Sequence, residues 1–267
     1  MDCPGMPGAV RSCRINPHGL AGAPWLPHCH APPLPSLIKV RLVRTSHPML
    51  SWIERFVSSS VGRKALMALT GLMLIGFLIA HLAGNLSLFA GDGGTAFDAY
   101  AHAISSLPIL PIAEAVLALL FLGHIYLAVK TTLENRRARP QGYEVTGTHG
   151  KKSFASKTMF PTGVVILLFL IKHLWDFRLQ KESFEEAPYA SVQHALSDPL
   201  TASVYMLGIL ALGIHLSHAF GSALQSLGFN HPKYTPVLRV SGKVLAVLLT
   251  LGFISIPIYF WLGGSNS

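Results

Sequence analysis

Five histidines lie inside long apolar runs of this sequence: His81, His124, His173, His215 and His218. An ionisable group in a bilayer is costly and is usually kept for function. The reading expects no Asp, Glu or Arg buried beside these histidines to form a proton relay. Four helices that each offer an imidazole to a bundle interior supply what bis-histidine haem ligation needs, because imidazole suits iron and the axial pair sets its potential. Taken alone, any one of them reads as a hydrogen-bonded residue at a helix interface. The set carries the chemistry, and depth decides which members can share an iron.

The two ligands of one iron must lie at nearly the same level in the membrane. With span midpoints near residues 77, 118, 167 and 213 and a rise of about 1.5 Å per residue, His81 falls about 6 Å and His173 about 9 Å past the middle of outward-running helices. On inward-running helices, His124 falls about 9 Å past the middle, and His215 and His218 about 3 and 8 Å. Two levels follow: His81 with His173 outside, and His124 with His215 or His218 inside. His81 and His124 are 43 residues apart and His173 and His215 are 42 apart. The first four helices therefore read as two hairpins in parallel repeat, each with an outer and then an inner histidine. This spacing leans toward His215, while depth leaves His218 open as a propionate partner or interface residue. His102, His149, His194, His231 and the four histidines of the N-terminal tail are assigned no role.

The elements that must hold these imidazoles are five apolar runs, roughly 65–90, 107–129, 158–177, 199–226 and 244–262. Each approaches the ~20 residues a helix needs to cross ~30 Å of hydrocarbon. Only 12% of the 267 residues are charged and 51% are hydrophobic, against about 25% charged in a soluble domain. That excludes an ordinary soluble enzyme and a disordered chain. The expected fold is all-α: a bundle of five transmembrane helices running up and down. Ser106-Leu107-Pro108 and Asp198-Pro199 read as capped helix starts. Pro161 is tolerable in a first turn, and Pro257 is expected to kink the last helix. Gly76, Gly84, Gly123, Gly208 and Gly213 lie near the histidines and suit either close helix packing or room for a flat macrocycle.

Lys and Arg set the orientation. Thirteen of them flank the spans on one side (Arg55, Arg63, Lys64; Lys130, Arg136, Arg137, Arg139, Lys151, Lys152, Lys157; Lys233, Arg239, Lys243), and only Arg178 and Lys181 lie on the other. The N-terminus is therefore expected in the cytoplasm and the C-terminus outside. The net charge of +9 flanks apolar runs and forms no basic stripe interleaved with aromatics, so no nucleic-acid partner is expected. Residues 1–48 hold nine of the 18 prolines and all three cysteines, Cys3, Cys13 and Cys29. They read as a Pro-rich disordered tail outside the 49–267 membrane domain. Cys29 between His28 and His30 reads as part of that tail rather than as a metal site. Met49 is an alternative start that would leave the tail untranslated, and an organellar transit peptide is a lesser alternative. No C-x-x-C-H occurs, which rules out covalent c-type haem attachment.

Several segments together resemble a known family. They are Phe77-Leu78-Ile79-Ala80-His81-Leu82, Ala96-Phe97-Asp98, Ser105-Ser106-Leu107-Pro108, Leu122-Gly123-His124-Ile125-Tyr126, Lys172-His173-Leu174-Trp175-Asp176-Phe177-Arg178 and Ile214-His215-Leu216-Ser217-His218. In this order they resemble the dihaem, five-helix cytochrome b subunit of succinate:quinone oxidoreductases, in the succinate dehydrogenase and fumarate reductase superfamily. The resemblance covers about residues 50–262. It implies two haem b groups, with His81 and His173 on the distal iron and His124 and His215 on the proximal one. It also implies an iron–sulfur subunit and an FAD flavoprotein subunit on the cytoplasmic side of the cytoplasmic (inner) membrane, with electrons passing to a quinone, menaquinone by expectation. Some dihaem fumarate reductases carry a glutamate two residues before the proximal ligand. Gly213 stands there in this chain, which tilts the reading toward succinate oxidation.

Glu114 is the one carboxylate well inside a span and lies about 15 Å outward of His124 on the same helix. It is the candidate quinone or proton-uptake residue, or else an interfacial acid favoured by the helix dipole. Asn85, Trp175 and Asp176 are weaker candidates at the distal end. Arg178 and Lys130 are candidate propionate partners of the distal and proximal haems, or else membrane-interface anchors. The basic loop 130–157 suits an iron–sulfur partner or anionic membrane lipid equally. The rival classes are fumarate reduction by the same architecture, a haem-free structural anchor, a stand-alone b561-like reductase and a histidine-lined metal transporter. The lack of midplane carboxylates argues against the last.

Overall fold

The computed structural model describes residues 48–138 and 154–263, all within one compact unit, Ser46–Ser267. The expected disordered tail, apart from Pro48, and Arg139, His149, Lys151 and Lys152 of the basic loop lie outside the described residues. The elements run α1 (Pro48–Ser58), α2 (Ser60–Asn85), a 3-10 turn (Leu86–Phe89), α3 (Thr95–Ser105), α4 (Leu110–Arg137), α5 (Phe154–Leu174), a π turn (Trp175–Leu179), α6 (Lys181–Glu186), α7 (Pro188–Ser197), α8 (Pro199–Ser226) and α9 (Thr235–Leu262). The described residues contain no strand. Five segments are long and apolar enough to cross a bilayer: Ser60–Phe89, Leu110–Arg137, Lys157–Leu179, Pro199–Ser226 and Thr235–Leu262. The chain is an all-helical, multi-pass membrane protein.

The helix ends show where hydropathy misleads. The last span was expected from 244, but α9 starts at Thr235 and carries Arg239 and Lys243 within it. Apolar runs mark only the hydrocarbon part of a helix. The helix continues past it because backbone groups stay bonded internally, and long basic stems reach water from inside the turn. Ser106 does not cap α4. It closes α3, with its amide donating to the His102 carbonyl at 3.0 Å and its hydroxyl to the Ala103 carbonyl at 2.9 Å. Pro161 lies in the interior of α5 rather than in its first turn. Asp198 does cap α8, accepting from the Thr201 amide at 2.8 Å. That bond holds the exposed carboxyl below its ordinary value.

α8 is the centre of the bundle and packs on α2, α5 and α9, while α4 packs along α2. The bundle is therefore two hairpins, α2–α4 and α5–α8, joined where α2 meets α8. α4 turns Ile112, Val116, Leu119 and Leu122 outward, the side that would meet lipid acyl chains. α8 ends in a Schellman motif: the Phe229 amide donates to the Leu224 carbonyl at 3.0 Å and the Gly228 amide to Gln225 at 3.1 Å. Gly228 makes the turn with φ +96°, a conformation that side-chain-bearing residues rarely adopt.

We call the end of the bundle carrying α3 and α7 the outer end, following the expected orientation. There Leu88, Phe97, Val192, Leu196, Tyr205, Ile256 and Phe260 form one buried cluster. The Asp98 carboxylate ties α3 to α7 by accepting the Tyr189 amide at 2.7 Å. These two helices are too short to stand out in the sequence as spans, yet they cover the outer end of the bundle.

Candidate functional site

His81 on α2 and His173 on α5 meet in the outer half, with ring centroids 5.9 Å apart and ring planes 85° to each other. Metal–imidazole nitrogen bonds are about 2 Å long, which puts two rings on one ion about 6 Å apart between centroids. His173 Nδ1 is buried and has no hydrogen-bond partner, a cost unless another group takes it. Aromatic rings hold both imidazoles. Phe77 and Phe253 lie 5.3 and 5.9 Å from His81; Phe169, Phe177 and Tyr205 lie 5.8, 5.5 and 5.9 Å from His173. Asn85 donates to the His81 carbonyl at 2.7 Å.

An acid does stand beside this pair, contrary to the sequence expectation. Asp176 accepts from Lys172 at 2.5 and 2.6 Å and from the Tyr205 hydroxyl at 2.8 Å. It is within electrostatic reach of His173. The π turn at Trp175–Leu179 carries it. One extra residue per turn re-aims the side chains there, and such bulges are frequent at functional sites.

The inner pair is held differently. Thr70 Oγ1 on α2 lies 3.2 Å from His124 Nδ1 on α4, and Thr162 Oγ1 on α5 lies 3.2 Å from His215 Nδ1 on α8. The next residue in each case is a glycine against the same ring. A Cβ on Gly71 would stand 3.3 Å from His124 Cε1, and one on Gly163 would stand 3.8 Å from His215 Cε1. His218 has His215 and Lys243 as electrostatic neighbours; the threonine contact belongs to His215.

Among the described residues, no three His, Cys, Asp or Glu side chains group as a metal site. Axial haem ligation asks for only two imidazoles per iron. The donor set fits that group: two histidine pairs, a buried ring nitrogen without a partner, and Gly71 where a side chain would crowd an inner ring.

The remaining candidates fall as follows. Arg178 grips Glu114 in a bidentate pair, with Nε to Oε1 and Nη2 to Oε2 both at 2.8 Å. This joins the α4 start to the π turn after α5 and so clasps one hairpin to the other at the outer end. Lys130 folds back on its own helix, 3.4 Å from the Tyr126 hydroxyl. Trp175 is exposed. Three of the glycines are packing positions: Gly84 meets Tyr100, Gly208 meets Phe169 and Gly213 meets Thr250. Gly76 and Gly123 have open space where a Cβ would stand. Sequence reading missed Thr70, Thr162, Gly71, Gly163 and Tyr205. A signal for the first four was present, because a Thr-Gly pair precedes each outer histidine at the same distance.

Comparison with known proteins agrees with the resemblance read from the motifs. The chain is 28% identical over 204 residues to the succinate dehydrogenase cytochrome b558 subunit of Bacillus subtilis (strain 168), which covers 74% of this chain and 94% of that protein. No protein-family model matches the chain, and no solved structure does. With five helices long and apolar enough to span a membrane, the chain is similar, over nearly the whole length of that bacterial subunit, to a succinate dehydrogenase cytochrome b membrane subunit.

Proposed function

We propose that this chain is the quinone-reactive membrane anchor of a succinate dehydrogenase complex, passing electrons from an iron–sulfur subunit to a menaquinone-type quinone. The observation that carries the reading is the meeting of His81 with His173 at 5.9 Å between ring centroids; His124 and His215, each set against a threonine hydroxyl in the inner half, are the second pair in this reading. Two haem b groups, one per pair, would supply one-electron carriers between a two-electron donor and a two-electron acceptor. The chain itself is not the site of succinate oxidation; an FAD flavoprotein docks with the iron–sulfur subunit on the cytoplasmic side. The Lys and Arg residues at the cytoplasmic end support that orientation.

The chain's residues do the positioning. α2, α4, α5 and α8 present the imidazoles inward, and the outer aromatic cluster excludes water from the His81–His173 level. Quinone reduction on the outer side needs polar groups close to an apolar surface. Glu114 is the proposed quinone or proton residue, held by Arg178, with Asn85, Trp175 and Asp176 at the same end. Gly213 packs against Thr250 of α9, so a larger residue there has no room, which favours succinate oxidation over a fumarate reductase that uses an acid at this position.

The test is to purify the complex through a tag on this chain and add succinate. The expected result is co-isolation of a covalent flavoprotein and an iron–sulfur protein, with succinate-dependent reduction of a menaquinone analogue. Isolation of the chain alone, or quinone reduction unaffected by loss of His81 or His215, would contradict the proposal.

A further inference from the structure

Thr70 and Thr162 occupy equivalent places in the two hairpins. Each stands eleven residues before the outer histidine of its own helix, and each reaches the inner histidine of the next span, 54 and 53 residues later, at the same 3.2 Å. Each hydroxyl also lies against two carbonyls of its own helix. Thr70 Oγ1 is 2.9 Å from the Leu66 oxygen and 3.0 Å from that of Met67; Thr162 Oγ1 is 2.6 Å from Thr158 and 3.2 Å from Met159. Back-bonding of this kind is common for threonine in membrane helices. It does not account for a second helix placing an imidazole nitrogen on the same oxygen, twice.

A hydroxyl has one proton and a carbonyl can only accept. The threonine proton therefore goes to the carbonyls, and its lone pair receives Nδ1–H from the histidine. That selects the Nδ1–H tautomer and leaves Nε2 as the free lone pair. A hydrogen bond of this kind from the second ring nitrogen sets the orientation and basicity of a ligating histidine. Gly71 and Gly163 follow the threonines and border the same rings, and at Gly71 a Cβ would crowd His124 at 3.3 Å.

We propose that Thr70 and Thr162 are a symmetric pair of positioning residues that fix tautomer and ring orientation of His124 and His215 for axial ligation at the inner level. The inference rests on the proposed function. At the outer level His173 Nδ1 is without a partner and His81 Nδ1 faces the Asn85 amide nitrogen at 3.4 Å; neither meets a threonine, so the effect of the two hydroxyls is confined to the inner level.

The test uses the intact complex carrying Thr70→Val or Thr162→Val, which keep shape and lose the hydroxyl. Low-temperature paramagnetic resonance and redox titration are read for both haems, with His124→Ala and His81→Ala assigning the inner and outer signals. Each valine variant is expected to change the resonance envelope and midpoint of the inner haem alone, and to weaken its retention about 10–100-fold. Thr70→Ser and Thr162→Ser are expected to restore all three. Wild-type inner signals in both valine variants would overturn the inference. Should the valine variants fail to accumulate, Thr→Ala and Thr→Ser are compared: an inner signal altered equally in both overturns it, and one retained only with serine supports it. Absence of b-type absorbance from the unmodified complex would instead overturn the proposed function, and the inference with it.

Discussion

The two histidine pairs are held by different forces. At the outer level, rings pack on rings: Phe77 and Phe253 against His81, and Phe169, Phe177 and Tyr205 against His173. Charge is close by, in the Lys172–Asp176–Tyr205 chain, and α3 and α7 close the end. At the inner level the imidazoles are gripped by single hydroxyls and bordered by glycines. Aromatic packing restrains where a ring sits but tolerates rotation in its plane, whereas a hydrogen bond to one nitrogen selects a tautomer. The inner imidazoles are therefore set by threonine hydroxyls, and the outer ones by packed rings, with the Asn85 amide nitrogen 3.4 Å from His81 Nδ1 and the charged chain close by.

The largest expected effect comes from removing ligands one level at a time. His124→Ala or His215→Ala should abolish about half of the b-type absorbance and leave the outer signal, while His81→Ala or His173→Ala should do the reverse. His218→Ala should leave both, as read from reduced-minus-oxidised spectra. Loss of the inner signal in the His218 variant and not in the His215 variant would reassign the ligand.

A smaller effect separates the levels by stability. Asp176→Ala leaves the Lys172 ammonium and Tyr205 hydroxyl without their shared acceptor. An unsatisfied buried group costs about 1–3 kcal/mol; Tyr205 is only 5% exposed, whereas the Lys172 side chain is 40% exposed and can turn to water. Thermal unfolding of the complex should show earlier loss of the outer haem with the inner one unchanged. Simultaneous loss of both would mean that the two levels are not independent.

Smaller again is a contrast within the inner level. Gly71→Ala places a methyl 3.3 Å from the His124 ring, tighter than ordinary contact, while Gly163→Ala places one 3.8 Å from His215. The first should shift the inner haem spectrum and the second should not. The smallest effect lies outside the membrane. The Asp198 cap has a depressed carboxyl, so its contribution is complete above the ordinary carboxylate range and lost as pH falls through the depressed value. Protection of the Thr201 amide, measured against its intrinsic exchange rate at each pH, should fall on that acid side, with the span amides unaffected.

The five spans were legible in the sequence because apolar runs and helix rise supply them. The meeting of His81 with His173 follows from that rise. The grip of Thr70 on His124 does not, because it depends on how each helix is rotated about its axis, which the packing of α2 on α4 decides. Asp176 was legible as a residue but not as a neighbour of His173, since the π turn re-aims it. The bidentate pairing of Glu114 with Arg178 crosses between hairpins and has no local signature. Ser106 was misplaced as a cap because Leu107-Pro108 looks like a helix start, whereas the chain first finishes α3 and makes a short turn.

The central claim is that each pair of imidazoles binds one haem. A pyridine haemochromogen assay on the purified complex, normalised to this chain, tests it directly. Two haem b per chain are expected, falling to one when either His81 or His215 is replaced by alanine; a value of one or none in the unmodified complex would contradict that claim.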